Sequence, residues 1–211
     1  ISNGATPTFK GYRGFPAASC ISINDELVHG IPGKRKLKMG DIVSIDIGVT
    51  KNSCIADSCF TYAVGEIPLI YKQLIQTAHD ATMYGISLCK EGVRIYDLAK
   101  LVSEFVNKTE HFTIAEGLYG HGTGVQLHEA PTICFTYPCP PQLPNIRLSK
   151  DMVITIEPVI CFKSSNGKYT TAKDGWTVNS SDKSYSAQFE HTILIQKDDC
   201  RILTGEFYSK Q

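Results

Sequence analysis

The chain has 211 residues, enough for one sizeable core, and its hydrophobic share of 42% and charged share of 20% are those of an ordinary globular protein. Its 21 Lys and Arg balance its 21 Asp and Glu, so no overall basic field draws it to DNA or RNA. No apolar run reaches the ~18 residues of a membrane span and no signal peptide is visible, which leaves neither a DNA nor a membrane partner to expect.

The segment up to Pro32 is rich in Gly, Pro and Ser, and within it residues 20–24 alternate like a strand. Lys34, Arg35, Lys36 and Lys38 follow Ile31-Pro32-Gly33 and read as a solvated turn. Residues 41–49 (DIVSIDIGV) alternate at period two, and 52–64 read as their antiparallel partner across a Thr50-Lys51-Asn52-Ser53 turn. Pro68 stands where a helix starts, 69–89 carry helical spacing, and Lys90-Glu91-Gly92 end it. A second helix spans 95–107, with Ile95, Leu98, Leu101, Val102, Phe105 and Val106 on one apolar stripe. Strand texture returns after Gly117, in 152–162, 175–179 and 188–196, while the Pro-rich 131–144 read as an ordered loop. Strands, two helices, then strands imply an α+β fold, with helices on one face of a curved, mostly antiparallel sheet.

The eight cysteines contain no Cys-x-x-Cys pair, which removes zinc-ribbon and thioredoxin-type readings. A chain of this length needs no stapling, so they read as free thiols of a reducing, cytoplasmic compartment, and the sequons at Asn107 and Asn179 read as chance matches. Ile1 rather than Met leads the chain, from which a missing upstream segment is expected.

Four carboxylates sit inside or beside apolar strand runs. Asp46 lies between Ile45 and Ile47, Asp57 after Cys54-Ile55-Ala56, Glu157 after Val153-Ile154-Thr155-Ile156, and Glu190 just before His191 and a run of Ile and Leu. Any one of them could face solvent, but a buried unpaired carboxylate is costly and must be protonated, paired or on a metal. Few basic residues share these segments. His121 and His128 add two imidazoles in the Gly-rich stretch HGTGVQLHE. Oxygen ligands plus an imidazole suit Mn, Fe or Co, and about four negative charges would balance two dications. A metal-dependent hydrolase is the reading that follows from the residues alone.

The ordered set Asp46, Asp57, His121, Glu157, Glu190 resembles that of the pita-bread dinuclear metallopeptidases. The block GYRGFPAASCISINDELVHGIP (11–32), Trp176-Thr177-Val178 and SAQFEHT (186–192) look specifically like methionine aminopeptidase. The resemblance runs from Gly11 to about Leu203. Only 33 positions separate Glu157 from Glu190 (190 − 157), too few for the helical insert of the type II enzymes, so the likeness is to type I.

The resemblance implies a single catalytic domain, 1–211, of pita-bread fold with helices on the outer face of the sheet, lacking the helical segment that precedes Gly11 in the family. It implies removal of the initiator methionine from nascent polypeptides by water activated between two divalent ions (Co, Mn, Fe or Zn). Asp57 and Glu190 would bridge both ions, His121 and Glu157 would complete one, and Asp46 would bind the other. Glu157 would shuttle the proton, His128 would hold the substrate carbonyl or its oxyanion, and His29 would contact the peptide nitrogen. Tyr12, Phe15, Cys20 and Trp176 would form the methionine pocket, with Leu127 at its rim. A monovalent cation, sodium or potassium, would sit at Asn24, Glu26 and Ser186. The substrate would be a peptide or nascent chain beginning with Met, with ribosome association following from that role, and the enzyme would be a monomer. Gln126 and Leu127 stand where the family has a Gly and an aromatic residue. Two alternatives share the metal set or the fold: an Xaa-Pro aminopeptidase or prolidase, and a non-catalytic pita-bread binding protein. The Cys20 block and Trp176 count against the first, and the complete ligand set against the second.

Overall fold

In the computed structural model, which describes residues 3–205, the expected helices and hairpin form one α+β unit. The hairpin arms are Ile42–Lys51 and Cys54–Ala63, paired along their whole length. Asn52 and Ser53 turn between them with φ of 50° and 62°, the left-handed pair that a two-residue hairpin turn demands. Around this hairpin a nine-stranded sheet assembles. It continues from Cys54–Ala63 through Glu190–Ile195, Val153–Ile156 and Gly120–Gly122 to Glu129–Ile133, while Thr6–Pro7 and Cys20–Ile23 pair with Ile42–Lys51. Its ladders are antiparallel throughout the described residues.

Helices α1 (Leu69–Ser87) and α2 (Ile95–Asn107) pack together on one side of the curled sheet. Leu74, Ala78, Leu98 and Val102 from the helices join Ile154, Ile156, Ile193 and Ile195 from the strands in the main core, all of them fully buried. Each such Ile or Leu contributes roughly 1.5–3 kcal/mol by leaving water. Gly85 lets the layers close: a Cβ there would stand 3.1 Å from Ile156 and 3.4 Å from Val102. Among the described residues no helix is long and apolar enough to cross a membrane. The eight cysteines are free thiols, and Lys34, Arg35, Lys36 and Lys38 are exposed.

Two expected strands are each broken in two, and the breaks position the site. Residues 152–162 divide into Val153–Ile156, in the large sheet, and Val159–Phe162, in a three-stranded sheet with Ser186–Gln188 and Phe112–Ile114. Pro158 lacks the N–H that a continuous ladder needs. Residues 188–196 divide likewise: Ser186–Gln188 belongs to the small sheet and Glu190–Ile195 to the large one. The two breaks lie side by side, with Val159 opposite Gln188 and Ile156 opposite His191. Glu157 and Glu190 stand at these crossings. The 131–144 loop also differs from expectation, because Pro131 to Ile133 complete the edge strand Glu129–Ile133, a position that tolerates a residue without an N–H. The strand expected over 175–179 is shorter and starts three residues later, as Val178–Ser180, because Asp174 draws Trp176 and Thr177 into a turn.

Candidate metal and peptide site

Five backbone positions on or beside the large sheet converge on one floor. Asp46 and Asp57 come from the two hairpin arms, His121 from the short strand Gly120–Gly122, and Glu157 and Glu190 from the two crossings. Ligand atoms of Asp57, His121 and Glu190 all lie within 4.8 Å of one another. His121 Nε2 is 3.5 Å from Glu157 Oε1, and the Asp46 and Asp57 carboxyls are within hydrogen-bonding reach of each other. All five candidate ligands chosen from the sequence are therefore brought together.

The electrostatics of this floor suit a bound cation. Desolvation pushes the Glu157 carboxyl up to about 7. Desolvation, with the neighbouring Glu157 charge, pushes Asp57 up to about 6. Asp46 and Glu190 are held well above the ordinary carboxylate range, again by burial first and by the other acids second. Among the described residues no Lys or Arg pairs with any of the four. Oδ1 of Asp46 and Oδ1 of Asp57 are shut away from solvent with no hydrogen-bond partner there. An unpartnered buried carboxylate oxygen costs several kcal/mol unless a cation meets it. Hard oxygen donors with one imidazole are the donor set of a divalent ion, and the floor fits one.

The imidazole is prepared for that task. His121 Nδ1 lies 2.9 Å from the Gly122 carbonyl; because a carbonyl only accepts, Nδ1 carries the proton and Nε2 presents its lone pair to the acids. Gly120 and Gly122 give the room. A Cβ on the first would stand 2.6 Å from the Thr155 carbonyl oxygen, and on the second 2.3 Å from that of Ala130.

Three positions that the sequence reading passed over hold the ligands in place. The Thr155 hydroxyl accepts from the His121 N–H at 2.9 Å and donates to Glu157 Oε1 at 2.7 Å. Gln188 Nε2 donates to Glu157 Oε2 at 3.2 Å. Thr192 Oγ1 accepts from the Asp57 N–H at 2.9 Å and donates to the Asp57 carbonyl at 2.7 Å. Thr155 and Thr192 are fully buried cross-strand partners. Period two was the available signal, since Thr155 precedes Glu157 and Thr192 follows Glu190 by two residues in strand-like runs.

Above the floor a cavity of about 760 Å³ opens. All the pocket residues expected from the sequence line it: Tyr12, Phe15, Cys20, Leu127 and Trp176, together with His29 and His128. Phe9, which the sequence reading passed over, completes this wall. The Phe15 ring meets Phe9 edge-on at 6.5 Å and Trp176 edge-on at 5.1 Å between centroids. Leu127, expected at the rim, is 3% exposed and packs with Phe9, Phe15 and Cys20 as part of the wall, whereas Gln126 faces solvent. Cys20 pairs with Asp46 across the sheet and joins wall to floor. Asp174 shapes the Trp176 turn by accepting from the N–H groups of Trp176 (2.8 Å) and Thr177 (2.9 Å).

His128 stands over the floor with its ring 4.2 Å from that of His121. Its Nδ1 is 2.7 Å from the Tyr12 hydroxyl. Burial, helped by His121, lowers its pKa to about 4, so the ring is neutral near pH 7. His29 is exposed in the cavity, 6.4 Å from Trp176 ring to ring, and desolvation lowers its pKa. Its φ of 59° is left-handed, a conformation uncommon for a non-glycine residue and aiming this side chain inward from the turn after Glu26–Val28. Away from the cavity, Asn24, Glu26 and Ser186 also meet. The Ser186 N–H donates to the Asn24 carbonyl at 2.9 Å, and its hydroxyl to the Glu26 carbonyl at 3.3 Å.

A family model described as metallopeptidase family M24 matches residues 2–197. The methionine aminopeptidase of Borreliella burgdorferi is 42% identical over 195 residues, which cover 92% of this chain and 76% of that protein. Methionine aminopeptidase 1 of Bacillus subtilis is 42% identical over 202 residues, covering 95% and 79%. A crystal structure of the Thermotoga maritima methionine aminopeptidase superposes with a TM-score of 0.88 at 37% identity, covering 95% of this chain and 78% of that one. This chain therefore has the pita-bread fold that its sequence pattern resembles.

Proposed function

The chain belongs to metallopeptidase family M24, and from that membership we infer that it is a metal-dependent aminopeptidase that removes the N-terminal methionine of polypeptides. The observation that carries this reading is one cavity with two unlike surfaces: a floor of unpartnered buried carboxylate oxygens and a wall of aromatic and thiol side chains.

Asp57 and Glu190 would bridge two divalent ions, with His121 and Glu157 completing one and Asp46 holding the other. When bound, such ions supply Lewis acidity and a water of lowered pKa. Glu157, gripped at both oxygens by Thr155 and Gln188, would take the proton from the attacking water and pass it to the leaving amine. His128 would donate from Nε2 to the substrate carbonyl oxygen as negative charge develops there, with the Tyr12 hydroxyl donating to Nδ1 and so keeping the proton on the far nitrogen. His29 would meet the peptide nitrogen beside the scissile bond. The methionine thioether suits a polarizable aromatic slot, and Phe9, Phe15, Cys20, Leu127 and Trp176 offer one. The clustered Asn24, Glu26 and Ser186 would hold a sodium or potassium ion. The substrates would be new chains in the cytoplasm, consistent with eight free thiols.

The test is metal add-back. Metal-stripped protein is given Mn, Co or Fe together with Met-Ala-Ser or Leu-Ala-Ser. Metal-dependent release of Met with little Leu is the expected result. Equal release of both amino acids would contradict the pocket, and release without metal would contradict the floor.

A further inference from the structure

We propose that Arg13 forms a subsite at the cavity rim that favours peptides carrying an acidic side chain at the third residue. This inference rests on the aminopeptidase reading and concerns what lies beyond the bond that is cut. Arg13 lines the cavity and is exposed there. It belongs to a short 3-10 turn, Tyr12–Gly14, and its backbone is left-handed with φ of 48°, between Gly11 at 87° and Gly14 at 89°. The turn is closed by hydrogen bonds from Tyr12 N–H to the Phe9 carbonyl (3.0 Å) and from Gly14 N–H to the Gly11 carbonyl (3.1 Å). The guanidinium carbon stands 5.4 Å from the centre of the Tyr12 ring, within the range of a cation–π contact.

That contact ties the cation to the path of the substrate. Tyr12 is hydrogen-bonded to His128, the proposed partner of the scissile carbonyl. An aminopeptidase keeps one residue inside, so with Met against the wall and its carbonyl at His128 the rest of the peptide must leave over the rim. An extended chain advances about 3.3–3.6 Å per residue, so the third residue is the first whose side chain clears His29 and His128 and reaches the rim. Among the described residues no carboxylate forms an ion pair with Arg13. Glu129 also borders the cavity, where its Oε1 accepts the Gln126 N–H at 2.6 Å, and it forms no ion pair with Arg13. The floor acids would be held by the metals of the loaded enzyme. Arg13 is thus a held, unpaired cation over which the leaving part of the peptide passes.

The experiment compares Met release from Met-Ala-Glu-Ser, Met-Ala-Gln-Ser and Met-Ala-Lys-Ser by the Mn-loaded protein and its Arg13→Gln and Arg13→Glu variants. It is run at low salt and at about 0.5 M salt, where exposed charges are screened. At low salt kcat/KM should be about 3- to 5-fold higher for the Glu peptide than for the Gln peptide, the scale of one exposed charge pair, and lowest for the Lys peptide. The order should flatten in Arg13→Gln, invert in Arg13→Glu and fade in high salt. Comparing peptides within each variant cancels any change in the fraction of folded protein. Equal rates for the three peptides in the unaltered chain, or a Glu preference that survives Arg13→Gln, would overturn the subsite while leaving the methionine reading intact. No release even from the neutral Gln peptide would overturn both.

Discussion

The floor and the wall of the cavity are built by opposite means. The floor comes from the interior of the sheet: Asp46, Asp57 and His121 lie within paired strands, and Glu157 and Glu190 sit at adjacent crossings between two sheets. Buried hydroxyls fix it, Thr155 gripping the Glu157 side chain and Thr192 the main chain of Asp57. The wall comes largely from turns: Tyr12 from a 3-10 turn, Trp176 from a turn shaped by Asp174, and Leu127 from the loop before Glu129–Ile133. A catalytic centre tolerates little displacement and is served by strands, while a specificity surface can change residue by residue and is served by loops. Substitutions in the floor should therefore abolish chemistry, and substitutions in the wall, Tyr12 beside His128 excepted, should only retune it.

The largest effect should come from the floor. Asp57→Ala should lose metal at one or both positions and fall at least about 10³-fold in kcat/KM, the scale of losing several kcal/mol of metal assistance. Full two-metal occupancy by mass spectrometry in that variant would remove Asp57 from the bridging role. His128→Ala should come next: metal content unchanged, kcat down by about 10²- to 10³-fold as for other lost oxyanion donors, with KM little altered. A kcat near that of the unaltered protein would leave His128 without the carbonyl role.

The floor also makes a prediction about stability. Its acids have folded pKa values raised above the ordinary range, Glu157 to about 7 and Asp57 to about 6. A carboxyl raised on folding stabilises fully below its unfolded pKa, and that stability is lost as pH rises through the folded value. His128 and His191, whose folded values are lowered to about 4, act in the opposite sense but only below about pH 6.5, their unfolded value. Between about pH 6.5 and 8.5 the acids therefore dominate. Metal-stripped protein should lose at least ~3 °C of Tm over that window, the shift that roughly 1 kcal/mol gives at this size, and added Mn should restore it. A metal-free Tm that is flat or rises across the window would mean that the floor acids are already neutralised by the protein itself. The wall should give the smallest change: Trp176→Ala should raise KM for Met-Ala-Ser about 10-fold, the scale of one lost pocket contact, with metal content intact. Loss of metal in that variant would erase the distinction between the two regions.

The same division governed what could be read from the sequence. The candidate ligands were legible because a carboxylate in an apolar strand run is conspicuous, as Asp46 is between Ile45 and Ile47. The helices were legible because apolar residues recur at helical spacing, and α2 falls where its pattern places it, although Leu101 of its expected stripe is exposed because it lies at the edge of the buried face. The breaks at Pro158 and Phe189 were not, because 152–162 and 188–196 keep strand character on both sides and only tertiary pairing shows that the halves join different sheets. The short strands Phe112–Ile114, Tyr169–Thr171 and Cys200–Ile202 are each three residues long, too short for an alternation to register. Phe9 gave no signal at all: one aromatic in a Gly- and Pro-rich stretch declares a pocket only when Phe15 stands beside it.

The most direct test of the central claim is equilibrium metal binding to the stripped protein by isothermal titration calorimetry with Mn, near pH 7.5, alongside Glu190→Ala and Asp57→Ala. The account predicts two ions per unaltered chain and loss of one or both in each variant. An unaltered chain that binds no Mn, or variants that bind as it does, would contradict it.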